Sequence, residues 1–147
     1  MRGMRLLQIV ILLGYPAAFL LGSDQYGVVN WLTELRHTAP YVQQALKSLL
    51  GDPITDARVY EGASPLKFLH NLRAPLLVLQ GENDPRVPKE ESEQVVNILK
   101  QEGRTVEAHY YPGEGHGFEK RENEIDAIKR TEQWFDRYLN QSLPPQH

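Results

Sequence analysis

PLLVLQGENDPRVP, residues 75–88, is the stretch on which the reading of this chain turns. Leu76 to Leu79 is a continuous apolar run between Pro75 and Gly81, which suits a strand covered on both faces in a parallel sheet. Directly beyond it, Asn83-Asp84-Pro85 turns the chain and offers a carboxylate. The pattern then returns. Val106 to Tyr111 alternates Val106, Ala108 and Tyr110 against Glu107, His109 and Tyr111, as a strand with unequal faces does, and runs into YYPGEGHGF, residues 110–118, which offers the imidazole of His116.

Working outward from these two units, Lys89 to Glu102 carries a helical stripe of Val95, Val96 and Leu99 and stops at Gly103. Glu122 to Leu139 carries another, made of Ile125, Ile128, Phe135, Tyr138 and Leu139. Strand, helix, strand, helix at this spacing predicts βαβ units and an α/β fold. Upstream, Ser64-Pro65 reads as an N-cap followed by proline at the first helical position, opening a short helix through Leu72. Pro40 to Leu50 has helical spacing and is punctuated by Gly51-Asp52-Pro53. Phe19 to Val29 holds a strand weakened by Gly22 and Gly27, and residues 5–14 read as an apolar helix ending at Gly14. No repeat or linker divides the chain. The expectation is one α/β unit with about three parallel strands and four or five flanking helices.

Bulk properties exclude several classes. The 147 residues suit one domain, and 41% hydrophobic with 24% charged residues is ordinary for a globular protein. A net charge of −3 leaves no electrostatic footprint for nucleic acid or an anionic membrane. With no cysteine there are no disulfides or thiolate metal sites, and His37, His70, His109, His116 and His147 are too scattered for a metal centre. No cofactor is expected. Arg2 and Arg5 before the apolar run of residues 6–13 mimic a signal peptide, but no small-x-small cleavage site follows and the run is too short to span a membrane. A buried core helix and a cytoplasmic location are the favoured reading. A secreted or membrane-associated chain with residues 1–22 as leader is the alternative.

Loops leaving the carboxyl ends of neighbouring parallel strands can hold an acid and a base a few ångströms apart. Asp84 followed by His116 is the acid-then-base order of a Ser-His-Asp triad in its α/β-hydrolase arrangement. There the carboxylate fixes the imidazole tautomer while the imidazole moves a serine proton. Gly113, Gly115 and Gly117 let the backbone turn tightly around His116. The blander reading is that Asn83-Asp84-Pro85 is turn chemistry alone and that His116 is merely an exposed loop residue. Asp52, Asp56 and Glu61 read as a solvated loop face, and Tyr110-Tyr111 and Trp134-Phe135 as core packing.

The segment from Ser64 to Leu139, with its SPLKFLHNLRAPLLVLQGENDPRVP and YYPGEGHGF motifs, resembles the C-terminal end of the catalytic domain of the prolyl oligopeptidase family of serine peptidases. Its acylaminoacyl-peptidase and dipeptidyl-peptidase-like branches are the nearest in look. GVVNWLTEL at Gly27 to Leu35 and the GDP at Gly51 to Pro53 resemble that family's spacer between nucleophile and acid, so the resemblance covers residues 15–140. It implies a partial α/β-hydrolase fold, Asp84 as triad acid, His116 as triad base, and hydrolysis of peptide bonds through a serine acyl-enzyme. The family's serine sits in a G-x-S-x-G-G elbow, and counting back from Tyr15-Pro16 places it at Met1 or Arg2, neither a nucleophile. Ser23, Ser48, Ser92 and Ser142 lack the glycines that flank the serine of such an elbow, and Ser64 reads as a helix cap.

Residues 1–147 are therefore expected to be the C-terminal portion of a peptidase catalytic domain, without a propeller, holding acid and base but no nucleophile, and inactive alone. A peptide substrate is expected only when upstream residues complete the site. Self-association, or pairing with the missing half, is the expected partnership. The alternatives are a non-catalytic binding module that retains the fold, or a small carboxylesterase of the dienelactone-hydrolase kind.

Overall fold

A computed structural model describes residues 22–139 of the chain. The expected helix at residues 5–14, the candidate leader and the closing Pro144-Pro145 lie outside these residues. Within them the order is β1 (Gly22–Gln25), α1 (Trp31–His37), α2 (Pro40–Leu50), α3 (Ala57–Ala63), a 3-10 helix (Pro65–Asn71), β2 (Leu76–Gly81), α4 (Lys89–Gln101), β3 (Val106–Tyr111) and α5 (Arg121–Leu139). The three strands form one parallel sheet in the order β1-β2-β3, with Leu76 opposite both Gly22 and Val106. Three parallel strands between helices is the arrangement the sequence predicted.

Period-two geometry explains why β2 is apolar on every side. Leu76 and Val78 point into a core made with Val95, Val96 and Leu99 of α4, Leu69 of the 3-10 helix, Leu72 and Val29. Leu77 and Leu79 point the opposite way, against Ala127 and Trp134 of α5 and Tyr111 of β3. Covering both faces removes each of these leucines from water, worth about 1.5–3 kcal/mol apiece. A third cluster of Trp31, Leu35, Leu46 and Tyr60 holds α1, α2 and α3 together beside the sheet.

Three local expectations change. The strand within Phe19–Val29 is described only as Gly22–Gln25, and the chain after it turns into α1, capped by Asn30, whose side chain accepts from the Leu32 and Thr33 amides. The segment around Asp56 and Glu61 is not simply a loop face, because it carries α3, whose Tyr60 is wholly buried. Ser64 stands at the predicted cap position but makes no capping bond. Its hydroxyl donates to the Tyr60 carbonyl at 2.7 Å and accepts the Trp31 amide at 3.0 Å, tying α1 to α3.

Candidate active site

The two loops beyond β2 and β3 are fastened to each other before any functional side chain is considered. The Glu82 amide donates to the Tyr111 carbonyl at 3.1 Å and the Asn83 amide to the Glu114 carbonyl at 2.9 Å. The histidine loop passes so closely over Gly81 that a Cβ there would lie 2.4 Å from the Gly115 carbonyl oxygen. Only glycine permits that approach. Gly117 takes a positive φ of 114°, and Gly113 one of 75°. Gly115 needs no such freedom, and its place is set by the contact over Gly81.

Asp84 uses its two oxygens differently. Oδ1 accepts the amides of Arg86 at 2.8 Å and Val87 at 3.0 Å, which is the turn chemistry its sequence suggests. Oδ2 lies 2.8 Å from Nδ1 of His116. The turn bonds and the histidine contact therefore coexist, because the turn orients the free oxygen. Gln80, buried at the end of an otherwise apolar strand, reaches the same carboxylate: its amide nitrogen lies 2.9 Å from the Val87 carbonyl and 3.4 Å from Asp84 Oδ2. Ser92 of α4 donates to Gln80 Oε1 at 3.0 Å and so fixes the amide's orientation.

The Asp84 side chain is fully buried, whereas that of His116 is 27% exposed. An ionised carboxylate can only accept, so beside one Nδ1 is the donor, and in a neutral imidazole Nε2 then keeps its lone pair. One edge of the imidazole is thus held by protein, and the other can exchange a proton with a reacting group. The Tyr26 ring lies 5.0 Å from the imidazole and 5.3 Å from Phe118, whose own ring packs on Tyr111 at 4.4 Å. Tyr26 adopts a positive φ of 59° just past β1, a conformation that costs free energy for a non-glycine residue. Strain of this kind concentrates where a side chain must be aimed.

Two carboxylates matter that sequence reasoning passed over. Glu114, inside the histidine motif, is buried and accepts from the Glu119 amide at 2.7 Å, the Lys120 amide at 3.1 Å and the Asn123 amide group at 2.6 Å. The Asn123 bond, then that of Glu119, holds its carboxyl below the usual range. It anchors the loop to the start of α5. The signal was available in its position two residues before His116, but nothing in its spacing distinguished it from a solvated acid. Glu34 of α1 is also buried, and burial pushes its carboxyl up to about 8.

None of the described serines stands as a free nucleophile. Ser48 donates to Gln44 on the exposed face of α2, and Ser64 and Ser92 are buried in the contacts given above. The Ser23 hydroxyl is buried in β1. Ser142 lies outside the described residues. Among the described residues no three His, Asp or Glu side chains are grouped to hold a metal ion, and no helix is long and apolar enough to cross a membrane.

Comparison with known proteins identifies the family and the fold. The chain is 39% identical over 113 residues to dipeptidyl aminopeptidase BIII of Pseudoxanthomonas mexicana, a match covering 74% of this chain and 16% of that one. It is 30% identical over 136 residues to dipeptidyl peptidase family member 6 of Caenorhabditis elegans, covering 88% of this chain and 18% of the relative. It spans less than a fifth of the length of these curated relatives. The solved structure of Pyrococcus horikoshii acylaminoacyl peptidase superposes with a TM-score of 0.79 at 25% identity, over 86% of this chain and 21% of that one. A puromycin-hydrolyzing peptidase of Mycobacterium tuberculosis gives the same score and identity over 89% of this chain and 20% of its own. The parallel sheet and its helices are thus of the α/β-hydrolase kind. With the pattern of the prolyl oligopeptidase family matching residues 6–142, the chain belongs to that family of serine peptidases.

Proposed function

We propose that this chain supplies the acid and base, Asp84 and His116, of a Ser-Asp-His triad that cleaves peptides, as the C-terminal portion of a peptidase catalytic domain. The 2.8 Å Asp84–His116 contact, with the imidazole partly exposed, carries this reading. Nε2 would take the proton of an attacking serine and return it to the leaving amine. Asp84 holds the tautomer and balances the charge on the imidazolium. General base catalysis of this type contributes about 10²–10⁴-fold. The names of the relatives, dipeptidyl and acylaminoacyl peptidases, point to peptide substrates.

The nucleophile and the oxyanion donors would come from residues outside this sequence, so the chain alone is inactive. The environments of Ser48, Ser64 and Ser92 support this. The test pairs the chain with a separately made upstream half bearing a G-x-S-x-G-G elbow. Peptide hydrolysis should appear only in the mixture and should vanish with His116→Ala. A fluorophosphonate probe should label the added serine alone. Labelling of any serine of this chain by itself would overturn the assignment, as would full activity of the mixture carrying His116→Ala.

A further inference from the structure

Each of the three described strands ends in a loop that brings one side chain to the same place. Asp84 follows β2, His116 follows β3, and Tyr26 follows β1 directly. β1 and β3 lie on opposite sides of β2. The histidine loop crosses over Gly81 at the end of β2, and so comes within reach of the chain leaving β1. There the Tyr26 ring meets His116 at a centroid distance of 5.0 Å and a tilt of 44°. It meets Phe118, two residues further along the same loop, at 5.3 Å and 54°. Aromatic pairs attract at separations of about 4.5–7 Å, with tilted rings among the favoured geometries. Phe118 packs in turn on Tyr111, which is buried in β3 and whose hydroxyl donates to Asp126 Oδ2 at 2.9 Å. A row of rings thus runs from the sheet to the imidazole.

The backbone at Tyr26 is held for this contact. Its φ of 59° is one that a residue with a Cβ adopts at a cost, and such a conformation persists only where its surroundings over-determine it. Both sides of Tyr26 are fixed. Upstream, Gln25 pairs with Leu79 of β2. Downstream, Glu91 in the first turn of α4, a wholly buried acid that the acid–base pair does not use, accepts the Val29 amide at 2.9 Å and the Asn30 amide at 2.7 Å through Oε2. The Val29 carbonyl accepts the Leu66 amide at 2.9 Å.

A single hydrogen bond holds one corner of a ring. The Asp84 contact fixes Nδ1 and leaves the imidazole free to pivot about that point. A second contact, on the ring itself, is needed to set the direction of Nε2. We propose that Tyr26 is a positioning residue for the acid–base pair: its ring, aimed by the clamped turn after β1, stops the imidazole from pivoting. This rests on the triad reading of Asp84 and His116. A tyrosine that only closed a turn would be replaceable by glycine, which takes a positive φ at no steric cost.

The test follows the downfield Nδ1–H resonance of His116 by NMR in the full chain, and steady-state peptide hydrolysis in the two-part mixture. Tyr26→Gly relieves the backbone and deletes the ring. It should broaden the resonance and lower kcat by about 10²-fold with KM little changed, the loss expected when a reacting group is misplaced. Tyr26→Asn, which also tolerates a positive φ but brings no ring, should do the same, and thermal unfolding shows which variant is folded and can be read. Tyr26→Phe keeps the ring and should match wild type in both readouts. A resonance and a kcat left unchanged by a folded Tyr26→Gly or Tyr26→Asn chain would overturn the proposal. So would a Tyr26→Phe chain as impaired as these, or a raised KM at unaltered kcat, which would set the ring against substrate instead. Asp84→Asn separates the two levels: if it leaves the His116 resonance unaltered, the acid–base pair itself fails.

Discussion

Asp84 shows how one side chain can close a turn and hold a neighbouring imidazole together. Its Oδ1 closes the loop on the Arg86 and Val87 amides, and that closure aims Oδ2 at His116. In the completed enzyme, Asp84→Asn should lower kcat by about 10⁴-fold, because the amide can donate to Nδ1 and so favours the wrong tautomer. Steady-state kinetics on the two-part mixture checks this, and an effect below tenfold would remove Asp84 from the triad. Gly81→Ala tests the packing of the loops. The new Cβ would meet the Gly115 carbonyl at 2.4 Å, so a loss of about 1–3 kcal/mol in urea unfolding is expected, with disturbance of the His116 resonance. Glu114 gives an acid-side signature. Its carboxyl is held low by Asn123, then Glu119, so its contribution is present above the ordinary glutamate range and is lost as pH falls through its depressed value. Glu114→Gln should flatten that acid limb in pH-dependent thermal unfolding; an unchanged limb would mean the loop is held by its backbone contacts alone.

At the scale of elements, β2 is the member on which the others depend. It lies between β1 and β3, and its alternate side chains enter two different cores. Leu79 is wholly buried on the α5 side and Leu99 wholly buried on α4. Either residue changed to alanine should cost about 2–5 kcal/mol, read by chemical denaturation. Leu79→Ala should in addition loosen α5, visible as faster amide exchange around Ala127 and Trp134, whereas Leu99→Ala should spare them. Equal exchange in both variants would show that the two faces are not independent. The short helices α1 to α3 have a different task. They bury Trp31, Leu35, Leu46 and Tyr60 among themselves, and the corner they form reaches the acid loop through Thr38 and Ala39.

For the whole molecule, the β1 side of the sheet is the deciding feature. Among the described residues β1 pairs only with β2, and its Ser23 hydroxyl is buried without a hydrogen-bond partner. Burial raises the carboxyl of Asp24 on the same strand to about 6. A strand edge whose backbone groups lack a neighbouring strand is a template for association. We expect the purified chain to self-associate, or to be taken up by an upstream half that pairs with this edge. Sedimentation velocity should show species heavier than the monomer, reduced to a single heterodimer when that half is added. A monodisperse monomer with cooperative unfolding would refute this expectation.

The sequence by itself determined the local pieces whose signal is short-ranged. The apolar run of Leu76 to Leu79, the stripe of α4 and the alternation of Val106 to Tyr111 are consequences of burial periodicity, and they give the βαβ order directly. Asp84 and His116 were legible because strand ends in such a sheet are where loops converge. Their meeting within hydrogen-bond reach is expected on the same ground, and the register that aligns Gly81 of β2 with Tyr111 of β3 makes it a 2.8 Å contact. Only the tertiary structure decided Ser64, which reads as a cap but bridges two helices, and α3, whose Tyr60 is buried by contacts with α1 and α2. Glu34 and Glu114 are the sharpest case. In sequence they are two acids among nineteen acidic residues, indistinguishable from solvated charge. Only tertiary structure removes both from water, leaving one among backbone and amide donors that favour its ionised form and the other among like charges that favour its proton, because desolvation and charge proximity are set by neighbours distant in the chain.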